Sequence, residues 1–349
     1  MKENIKNLID KLYIKHSLSL LEYKELIEGF SEKTLDYIKE KAVALRKEVY
    51  GNEIYIRGLI EISNYCKNNC LYCGIRRENA KCSRYRLEKE DILNCAEIGY
   101  NLGFRTFVLQ GGEDMYFTDE VLIDIISSLK KSYPECAITL SLGERSKESY
   151  QALFDAGADR YLLRHETADS EHYSKLHPKE ITLQNRLTCL ENLKGIGFQT
   201  GMGFMVGSPY QTVETLAKDL KLIEEFSPDM CGIGPFIPHS ETPFKEKPAG
   251  NVYTTLYLLS IIRLIKPNIL LPATTALGTL REDGCELGIL SGANVIMPNI
   301  SPKDVRHKYE LYSGKIVRGL ETAEGLNKLK NKMQKIGYKI VVAKGDIKI

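Results

Sequence analysis

Short apolar segments alternate with amphipathic segments along most of the chain. The apolar segments are Ile54–Ile62, Thr106–Leu109, Ala137–Leu142, Arg160–Leu163, Gly201–Val206, Met230–Gly234, Ile269–Pro272 and Asn294–Met297. Apolar side chains recur at helical spacing in Lys89–Leu102, Asp119–Lys131, Lys147–Ala156, Leu183–Ile196, Val213–Glu225, Tyr253–Ile265 and Arg281–Leu290. Glycines near several helix ends are typical of a helix stop before the next strand. The pattern predicts eight successive strand–helix units.

Strands that alternate with helices are typical of a parallel sheet with helices outside it. The repeat extends from Ile54 to Pro298, close to the ~250 residues of a closed barrel. An open doubly wound sheet is the alternative, but eight consecutive units favour closure. We predict an α/β protein with a complete (β/α)8 TIM barrel over residues 54–300, where any chemistry would lie at the carboxyl ends of the strands.

Both ends of the chain are predicted to be mainly helical. Residues 1–53 form a helical cap, in which Ser19 and Glu22 have capping-box spacing, Ser31 caps a second helix and Gly51 ends it. Residues 301–349 form a short appendage. Its helix has an apolar face made by Leu326, Leu329, Met333 and Ile336.

Composition excludes several classes of partner and location. The 349 residues carry a net charge of +2, which gives no electrostatic basis for binding nucleic acid or an anionic membrane. No apolar run approaches the ~20 residues that span a bilayer, and the N-terminus has no hydrophobic signal core. The nine cysteines, an odd number, fit a reduced cytoplasm better than a disulfide framework.

Three of the cysteines, Cys66, Cys70 and Cys73, are clustered directly after the first predicted strand. Three thiolates in one loop can hold three corners of a cubane iron–sulfur cluster and leave the fourth iron open. A zinc site would need a fourth Cys or His, and Cys82 does not fit the spacing. An electron-transfer cluster would use four cysteines. The run resembles the signature of radical S-adenosylmethionine (SAM) enzymes, in which SAM occupies the open iron.

Further candidate residues follow other predicted strands. Gln110–Glu113 follows the second strand, where Gly111 and Gly112 let backbone approach a ligand. Arg164 and Glu166 follow the fourth, and a surface ion pair is the alternative interpretation. Arg186 begins a later helix and suits a carboxylate. Gly203–Thr212 resembles an adenine-contacting segment of the radical SAM family, or is an ordinary strand–helix loop.

Polar residues on the strands themselves predict a mixed cavity. Arg57 lies in the first strand, and if it points inward it requires an anion or water. Thr139 and Ser141 share one face of the third strand. The remaining candidates lie at the ends of the last two strands and beyond them: Thr274, Thr275, Met297, Tyr309 and Tyr312. Barrel core with capped turns is the alternative interpretation.

Five segments together resemble the HydE family, radical SAM maturases of the FeFe-hydrogenase active-site cluster. They are Ser63–Arg77, Tyr161–Ala168, Gly232–His239, Pro272–Thr279 and Gly292–Asn299. The resemblance implies a 4Fe-4S cluster on the three cysteines and a SAM site that includes Tyr72, Gln110, Gly111, Gly112, Glu113, Ser141, Glu166 and Arg186. It implies a substrate cavity lined by Arg57, Thr139, Arg164, Thr274, Thr275, Met297 and Tyr309. No catalytic side chain beyond the cluster and SAM is implied.

The resemblance also implies an activity and partners. SAM would be cleaved to a 5′-deoxyadenosyl radical, which attacks an iron-bound cysteine complex that carries CO and cyanide. A partner maturase would supply this small organometallic substrate, a flavodoxin or ferredoxin would supply electrons, and contacts with other maturases would be transient. A second cluster is not expected, because no cysteine follows Cys285. The alternatives are methylornithine synthase, a biotin-synthase-like enzyme, and an iron–sulfur scaffold or electron carrier.

Overall fold

The computed structural model describes residues 1–316 and 322–348. Its helices are α1 (Glu3–Lys15), α2 (Leu20–Glu28), α3 (Glu32–Tyr50), α4 (Lys89–Asn101), α5 (Asp119–Ser132), α6 (Lys147–Asp155), α7 (Ser170–Leu176), α8 (Leu183–Ile196), α9 (Val213–Phe226), α10 (Val252–Ile265), α11 (Thr275–Leu280), α12 (Gly284–Ile289) and α13 (Leu326–Lys335). Its strands are β1 (Glu53–Ile56), β2 (Gly58–Ser63), β3 (Thr106–Gly111), β4 (Ala137–Ser141), β5 (Arg160–Leu162), β6 (Gln199–Met202), β7 (Met205–Val206), β8 (Met230–Cys231), β9 (Gly234–Pro235), β10 (Val295–Ile296) and β11 (Lys339–Val341).

The strands follow the connectivity of the predicted barrel. Six of them form a parallel sheet in the order β2-β3-β4-β5-β6-β8. Parallel bridges then join Met230 to Leu270, Pro272 to Val295, and Leu59 to Asn299. β10 also pairs with β1. Backbone pairing thus passes through eight parallel segments and returns to the first, with helices between consecutive segments.

Two predicted strands differ in detail from the structure. The first is interrupted at Arg57, because its two halves have different neighbours: β1 pairs with β10 and β11, whereas β2 pairs with β3. The seventh, Ile269–Pro272, forms only isolated bridges. Proline has no N–H to donate to a ladder, which limits pairing at Pro272. Helices α7 and α11 lie in loops that the sequence pattern left unassigned.

The N-terminal helices cover one side of the barrel. Capping boxes begin α2 at Ser19 and α3 at Ser31, and Gly51 ends α3, as predicted. Helix α3 packs on α10, and α2 packs on α9. This cover explains why α10 is buried on almost every side although it is an outer helix of the barrel.

The C-terminal segment closes the barrel at the amino ends of its strands. β11 pairs in parallel with β1, from Glu53 opposite Lys339 to Tyr55 opposite Val341. Further along, the Thr106 hydroxyl donates to the Lys344 carbonyl oxygen at 2.7 Å. The apolar face of α13 is buried through Leu326, Leu329 and Met333. The opposite end, at the carboxyl ends of the strands, is the mouth at which the cysteine loop lies.

The helices show no membrane-crossing feature. Within residues 1–316 and 322–348, none is both long and apolar enough to cross a bilayer.

Candidate active site

The cysteine loop begins where β2 ends, at the mouth of the barrel. Cys66, Cys70 and Cys73 are partly exposed, whereas five of the other cysteines are buried. The sulfur atoms are nevertheless largely surrounded by protein. Burial, followed by the charge of the Cys66 thiolate, raises the pKa of Cys70 to about 12, and burial with both neighbouring thiolates raises that of Cys73. A bound metal cation would favour the deprotonated form of each thiol, which burial and the neighbouring thiolates disfavour.

Arg84 organises this loop through backbone oxygens. Its guanidinium donates to the carbonyls of Ile75 at 2.8 Å and Arg76 at 2.6 Å, and also to that of Asn64. The Asn64 amide group in turn donates to the Lys308 carbonyl at 2.7 Å. Isolated arginine and asparagine residues form no motif, so sequence reasoning did not identify this support.

Two glycines allow the loop to pack against its neighbours. A Cβ on Gly112 would lie 2.1 Å from the Tyr65 carbonyl oxygen. A Cβ on Gly74 would lie 2.2 Å from that of Glu310. Gly112 was predicted to let backbone approach a ligand. The structure shows that it lets the cysteine loop approach β3, and its contact with SAM stays a prediction.

The residues beside Gly112 tie three loops together. The Glu113 carboxylate accepts from the Glu144 backbone N–H at 3.1 Å and lies 3.3 Å from the Lys67 ammonium. Gly111 is the last residue of β3. The Gln110 amide donates to the Tyr309 hydroxyl at 3.4 Å. These three predicted residues are therefore together at the mouth, between the cysteine loop and the loop after β4.

Glu166 is buried in an unusual backbone conformation. Its φ is 64°, a left-handed value that is uncommon for a residue other than glycine. Its Oε2 atom lies 3.1 Å from the Arg164 guanidinium, yet the alignment makes no hydrogen bond. No other described residue donates to this buried oxygen. A buried carboxylate oxygen without a donor is suited to a ligand hydroxyl. The ion pair predicted as the alternative is present, but it does not satisfy the carboxylate.

Arg186 extends from α8 towards the same region. Its Nε donates to Glu144 at 2.5 Å and its Nη1 to the Arg164 carbonyl at 2.7 Å. These bonds use two of the five N–H groups of a guanidinium. Ser141 ends β4, close in sequence to Glu144, and is partly buried. The arrangement leaves part of Arg186 available to an anion.

Tyr72, directly before the last cysteine, is held by a histidine. Its hydroxyl lies 3.1 Å from His177 Nε2, and the two rings meet edge to face at 5.4 Å. Burial, followed by the nearby charge of Arg186, lowers the pKa of His177 to about 3, so the imidazole is neutral at physiological pH. A neutral imidazole whose Nδ1 donates to the Tyr173 carbonyl, at 3.0 Å, accepts at Nε2. Tyr72 is therefore the donor.

The cavity residues include buried polar atoms without partners. Arg57 is 4% exposed. Its guanidinium donates from Nη1 to Met230 Sδ at 2.9 Å, and among the described residues its Nε and Nη2 have no partner. The Thr139 hydroxyl is also buried without a partner. Burial, followed by the charge of Arg160, lowers the pKa of Arg57. Unpaired buried cations are costly, so these groups are suited to an anionic ligand.

The other predicted cavity residues are more fully engaged. The Thr274 hydroxyl donates to the Ile233 carbonyl at 3.2 Å, and Thr275 begins α11. Met297 packs with the apolar cluster of Tyr50, Tyr55, Met230, Leu270 and Val295. Tyr309 is buried beside Gln110. The predicted cavity residues thus lie in two places, some at the mouth of the barrel and others deeper in its interior.

A buried ion pair that the sequence did not reveal lies in the first strand. The Glu61 carboxylate accepts from the Asn299 amide at 2.8 Å and from the Lys315 ammonium. The same ammonium donates to the Tyr309 carbonyl at 2.9 Å. The charge of Glu61 is therefore already compensated. Its partners are distant in sequence, which explains why no local pattern predicted the pair.

The donor set fits a cluster better than a single ion. In the described part of the chain, no three His, Cys, Asp or Glu side chains converge as ligands of one metal ion. The thiolates of a cubane bind three different irons, so they need not converge in this way. Three thiols at the mouth, next to the unsatisfied Glu166 and the partly free Arg186, fit a cluster with a bound nucleoside.

Comparisons with known proteins agree with this geometry. A model of the radical SAM superfamily matches residues 60–223. The chain is 46% identical to the FeFe hydrogenase maturase subunit HydE of Thermotoga maritima, over 82% of this chain and 81% of that protein. It is 27% identical to 3-methylornithine synthase of Methanosarcina acetivorans, over 86% and 85%.

A solved structure supports the fold. The crystal structure of methylornithine synthase superposes with a TM-score of 0.82 and covers 96% of this chain and 97% of its own. At 24% identity this likeness concerns the fold alone. The predicted barrel of the radical SAM type is confirmed.

Proposed function

The chain belongs to the HydE family of radical SAM enzymes, and from that premise we propose that it cleaves SAM during assembly of the FeFe-hydrogenase active-site cluster. Its substrate is a small anionic iron complex that carries cysteine, CO and cyanide. The family supplies the first expectation of this substrate. The unpaired buried Arg57 is the observation that carries the proposal for this chain.

Three groups of residues would hold the cofactors. Cys66, Cys70 and Cys73 would hold a 4Fe-4S cluster. Glu166, whose Oε2 has no donor, would accept from the ribose hydroxyls, and Arg186 would bind the methionine carboxylate. The remaining predicted SAM contacts are Tyr72, Gln110, Gly111, Gly112, Glu113 and Ser141. When bound, the cluster supplies the electron that cleaves the SAM sulfonium and yields a 5′-deoxyadenosyl radical.

The interior supplies buried positive charge at Arg57. Arg57 and Thr139 offer buried N–H and O–H donors that no protein group occupies. Cyanide ligands and the carboxylate of an iron-bound cysteine would accept from such donors. Arg164 also has an N–H group without a partner, at Nε. A dry, shaped cavity keeps a reactive radical from side reactions, which is what radical chemistry requires of the protein.

The charges of the interior distinguish this substrate from lysine. Methylornithine synthase acts on an amino acid, whose ammonium group calls for a free carboxylate. Glu61 is a buried carboxylate of the first strand, but Asn299 and Lys315 already occupy its oxygens. Arg57 and Thr139 are unsatisfied donors of the interior, and the one free carboxylate oxygen of the proposed site, Glu166 Oε2, is assigned to the ribose hydroxyls of SAM. The free donors of the interior therefore support an anionic substrate over lysine.

The proposed partners follow from the same chemistry. A partner maturase delivers the iron complex, because a free complex with CO and cyanide ligands would be diluted or oxidised. A flavodoxin or ferredoxin provides the electron. Contacts with other hydrogenase maturases are transient, and the product proceeds towards the di-iron subcluster.

Anaerobic turnover tests the proposal. The reconstituted protein is mixed with dithionite and SAM, then with either a synthetic iron–cysteine complex bearing CO and cyanide or with free lysine, and 5′-deoxyadenosine is quantified. We expect the iron complex to accelerate 5′-deoxyadenosine formation and lysine to have no effect. Consumption of lysine would support the methylornithine alternative. An intact cluster that yields no 5′-deoxyadenosine would indicate a scaffold or electron carrier.

A further inference from the structure

The hydroxyl of Tyr173, in α7, is an unassigned polar group near the cysteine loop. Tyr173 is 1% exposed, and its phenolic oxygen has no hydrogen-bond partner within residues 1–316 and 322–348. A buried hydroxyl without a partner is uncommon, since its desolvation is not compensated. Neither sequence motif nor family resemblance pointed to this residue.

The surroundings of Tyr173 belong to the proposed SAM site. Burial raises the pKa of its phenol, and the charged groups that act on it include Arg186, Glu144, Cys70 and Glu166. These groups include a cluster cysteine and the two residues proposed to hold the methionine and ribose parts of SAM. The ring is joined to the cysteine loop through His177, whose Nε2 lies 3.1 Å from the hydroxyl of Tyr72, the residue before Cys73.

The ring of Tyr173 is held in place from its other side. It stacks on the His177 imidazole, with centroids 3.9 Å apart and an angle of 22°. His177 is fixed at Nε2 by Tyr72 and at Nδ1 by the Tyr173 carbonyl. The Leu71 N–H also donates to the Leu176 carbonyl at 3.0 Å, which joins α7 to the cysteine loop. The hydroxyl therefore cannot turn away towards solvent without breaking these contacts.

No nearby protein acceptor takes the Tyr173 proton. The two Glu144 oxygens accept from Arg186 and Asn185, each at 2.5 Å. Glu166 accepts nothing from Tyr173. Three N–H groups of Arg186 are not used by Glu144 or by the Arg164 carbonyl. A carboxylate bound to those N–H groups would therefore also accept a hydrogen bond from the Tyr173 hydroxyl.

We infer that Tyr173 is a further SAM-binding residue, whose hydroxyl donates a hydrogen bond to the methionine carboxylate beside Arg186. The inference rests on the proposed function, because it requires that SAM occupies this site. A hydrogen bond to a charged acceptor is about twice as strong as one between neutral groups. Its loss should weaken SAM binding by about tenfold or more.

The test compares two phenylalanine variants of the cluster-loaded protein. Tyr173→Phe removes the proposed contact. Tyr257→Phe is the matched control, because Tyr257 is equally buried and its hydroxyl donates to the Leu26 carbonyl at 2.9 Å, between α10 and α2. Anaerobic calorimetry gives the Kd of SAM and of decarboxylated SAM. Thermal unfolding gives Tm, and a redox titration without SAM gives the cluster potential.

We expect Tyr173→Phe to raise the Kd of SAM about tenfold and to leave that of decarboxylated SAM, the cluster potential and Tm unchanged. Tyr257→Phe should lower Tm and leave both Kd values unchanged. An equal loss for SAM and decarboxylated SAM would contradict the carboxylate contact. A shifted potential with an unchanged Kd would assign the hydroxyl to Cys70 instead and overturn the inference. If the wild-type cluster does not bind SAM, the proposed function itself is wrong.

Discussion

At the scale of single residues, the cysteine loop depends on side chains that have no chemistry of their own. Arg84 binds four carbonyl groups in and directly after the loop, and Gly74 and Gly112 permit backbone contacts that any Cβ would block. A radical SAM site needs three thiolates in a fixed arrangement, and these residues support that arrangement.

Gly112→Ala should disrupt the loop. The new Cβ would lie 2.1 Å from the Tyr65 carbonyl oxygen, which is backbone and cannot simply rotate away. We expect a destabilisation of about 1–3 kcal/mol and fewer irons bound per protein after anaerobic reconstitution. Urea unfolding and iron analysis measure the two effects.

Gly195→Ala is the control for that substitution. Gly195 lies in α8, and a Cβ there would meet nothing within 4 Å. Alanine is favoured over glycine within a helix by about 1 kcal/mol, so this variant should be more stable and should retain its iron. Equal loss of iron in both variants would show that Gly112 has no special place in the loop.

Cys70→Ala tests the ligand assignment directly. Removal of one of three thiolates should abolish the cubane cluster, which iron and sulfide analysis and the visible absorption spectrum would report. The control is Cys95→Ala, since Cys95 is buried in α4 and is not one of the predicted ligands. It should keep a full cluster. A Cys70→Ala protein with normal iron content would refute the assignment.

At the scale of elements, α7 supports the cysteine loop through a neutral histidine. His177 accepts from Tyr72 and stacks on Tyr173, so its protonation would break the contact with Tyr72. Its pKa is about 3 in the folded protein, against 6.5 for an unperturbed histidine. The unfolded chain binds the proton first as pH falls. Stability therefore decreases from about pH 6.5 towards pH 3.

This linkage predicts that His177→Gln reduces the pH dependence of stability. From the two pKa values, His177 should account for a loss of about 2 kcal/mol between pH 7 and pH 5. Glutamine does not titrate, so the variant should lose that much less over the same interval. Urea unfolding of the metal-free protein at both pH values measures the difference. Parallel pH profiles would mean that His177 titrates normally.

The sequence predicted those features whose signal lies within one element. It missed those that depend on contacts between residues distant in the chain. Capping residues such as Ser31 and the apolar face of α13 lie within one element, and the structure has both. Helix α7 is short, and its role depends on contacts with the cysteine loop that no periodicity encodes. The Glu61–Lys315 pair joins the first strand of the barrel to the C-terminal appendage. The three cysteines could be recognised in the sequence because cluster binding requires a short, fixed spacing between them.

At the scale of the whole molecule, the two ends of the barrel differ in structure. The mouth holds the cysteine loop, Glu166 and Arg186. The other end is closed by the C-terminal segment, where β11 extends the pairing of β1 and the following residues reach Arg160. The apolar cluster beneath Arg57 includes Val341, Ala343 and Ile347 from this segment. The appendage is therefore packed against the amino end of the barrel.

The closure also balances charge beneath the proposed substrate site. Arg160 is fully buried and donates to Asp346 at 2.5 Å and to the Lys344 carbonyl at 3.2 Å. Asp346 lies on the C-terminal segment, so folding of that segment provides the carboxylate that compensates Arg160. Arg57, by contrast, has no carboxylate partner among the described residues. The positive charge of the interior is thereby left to Arg57.

A double-mutant cycle on Arg160 and Asp346 tests whether this ion pair fastens the C-terminal segment. Asp346→Ala leaves a buried guanidinium with only neutral acceptors, the Gln199 and Thr106 side chains and the Lys344 carbonyl. We expect a loss of about 2 kcal/mol in the free energy of unfolding. In an Arg160→Met background the same change should cost much less, because no buried charge remains. Additive losses would show that the Arg160–Asp346 ion pair contributes nothing to the free energy of unfolding. The segment would then be held by β11 and its apolar contacts alone.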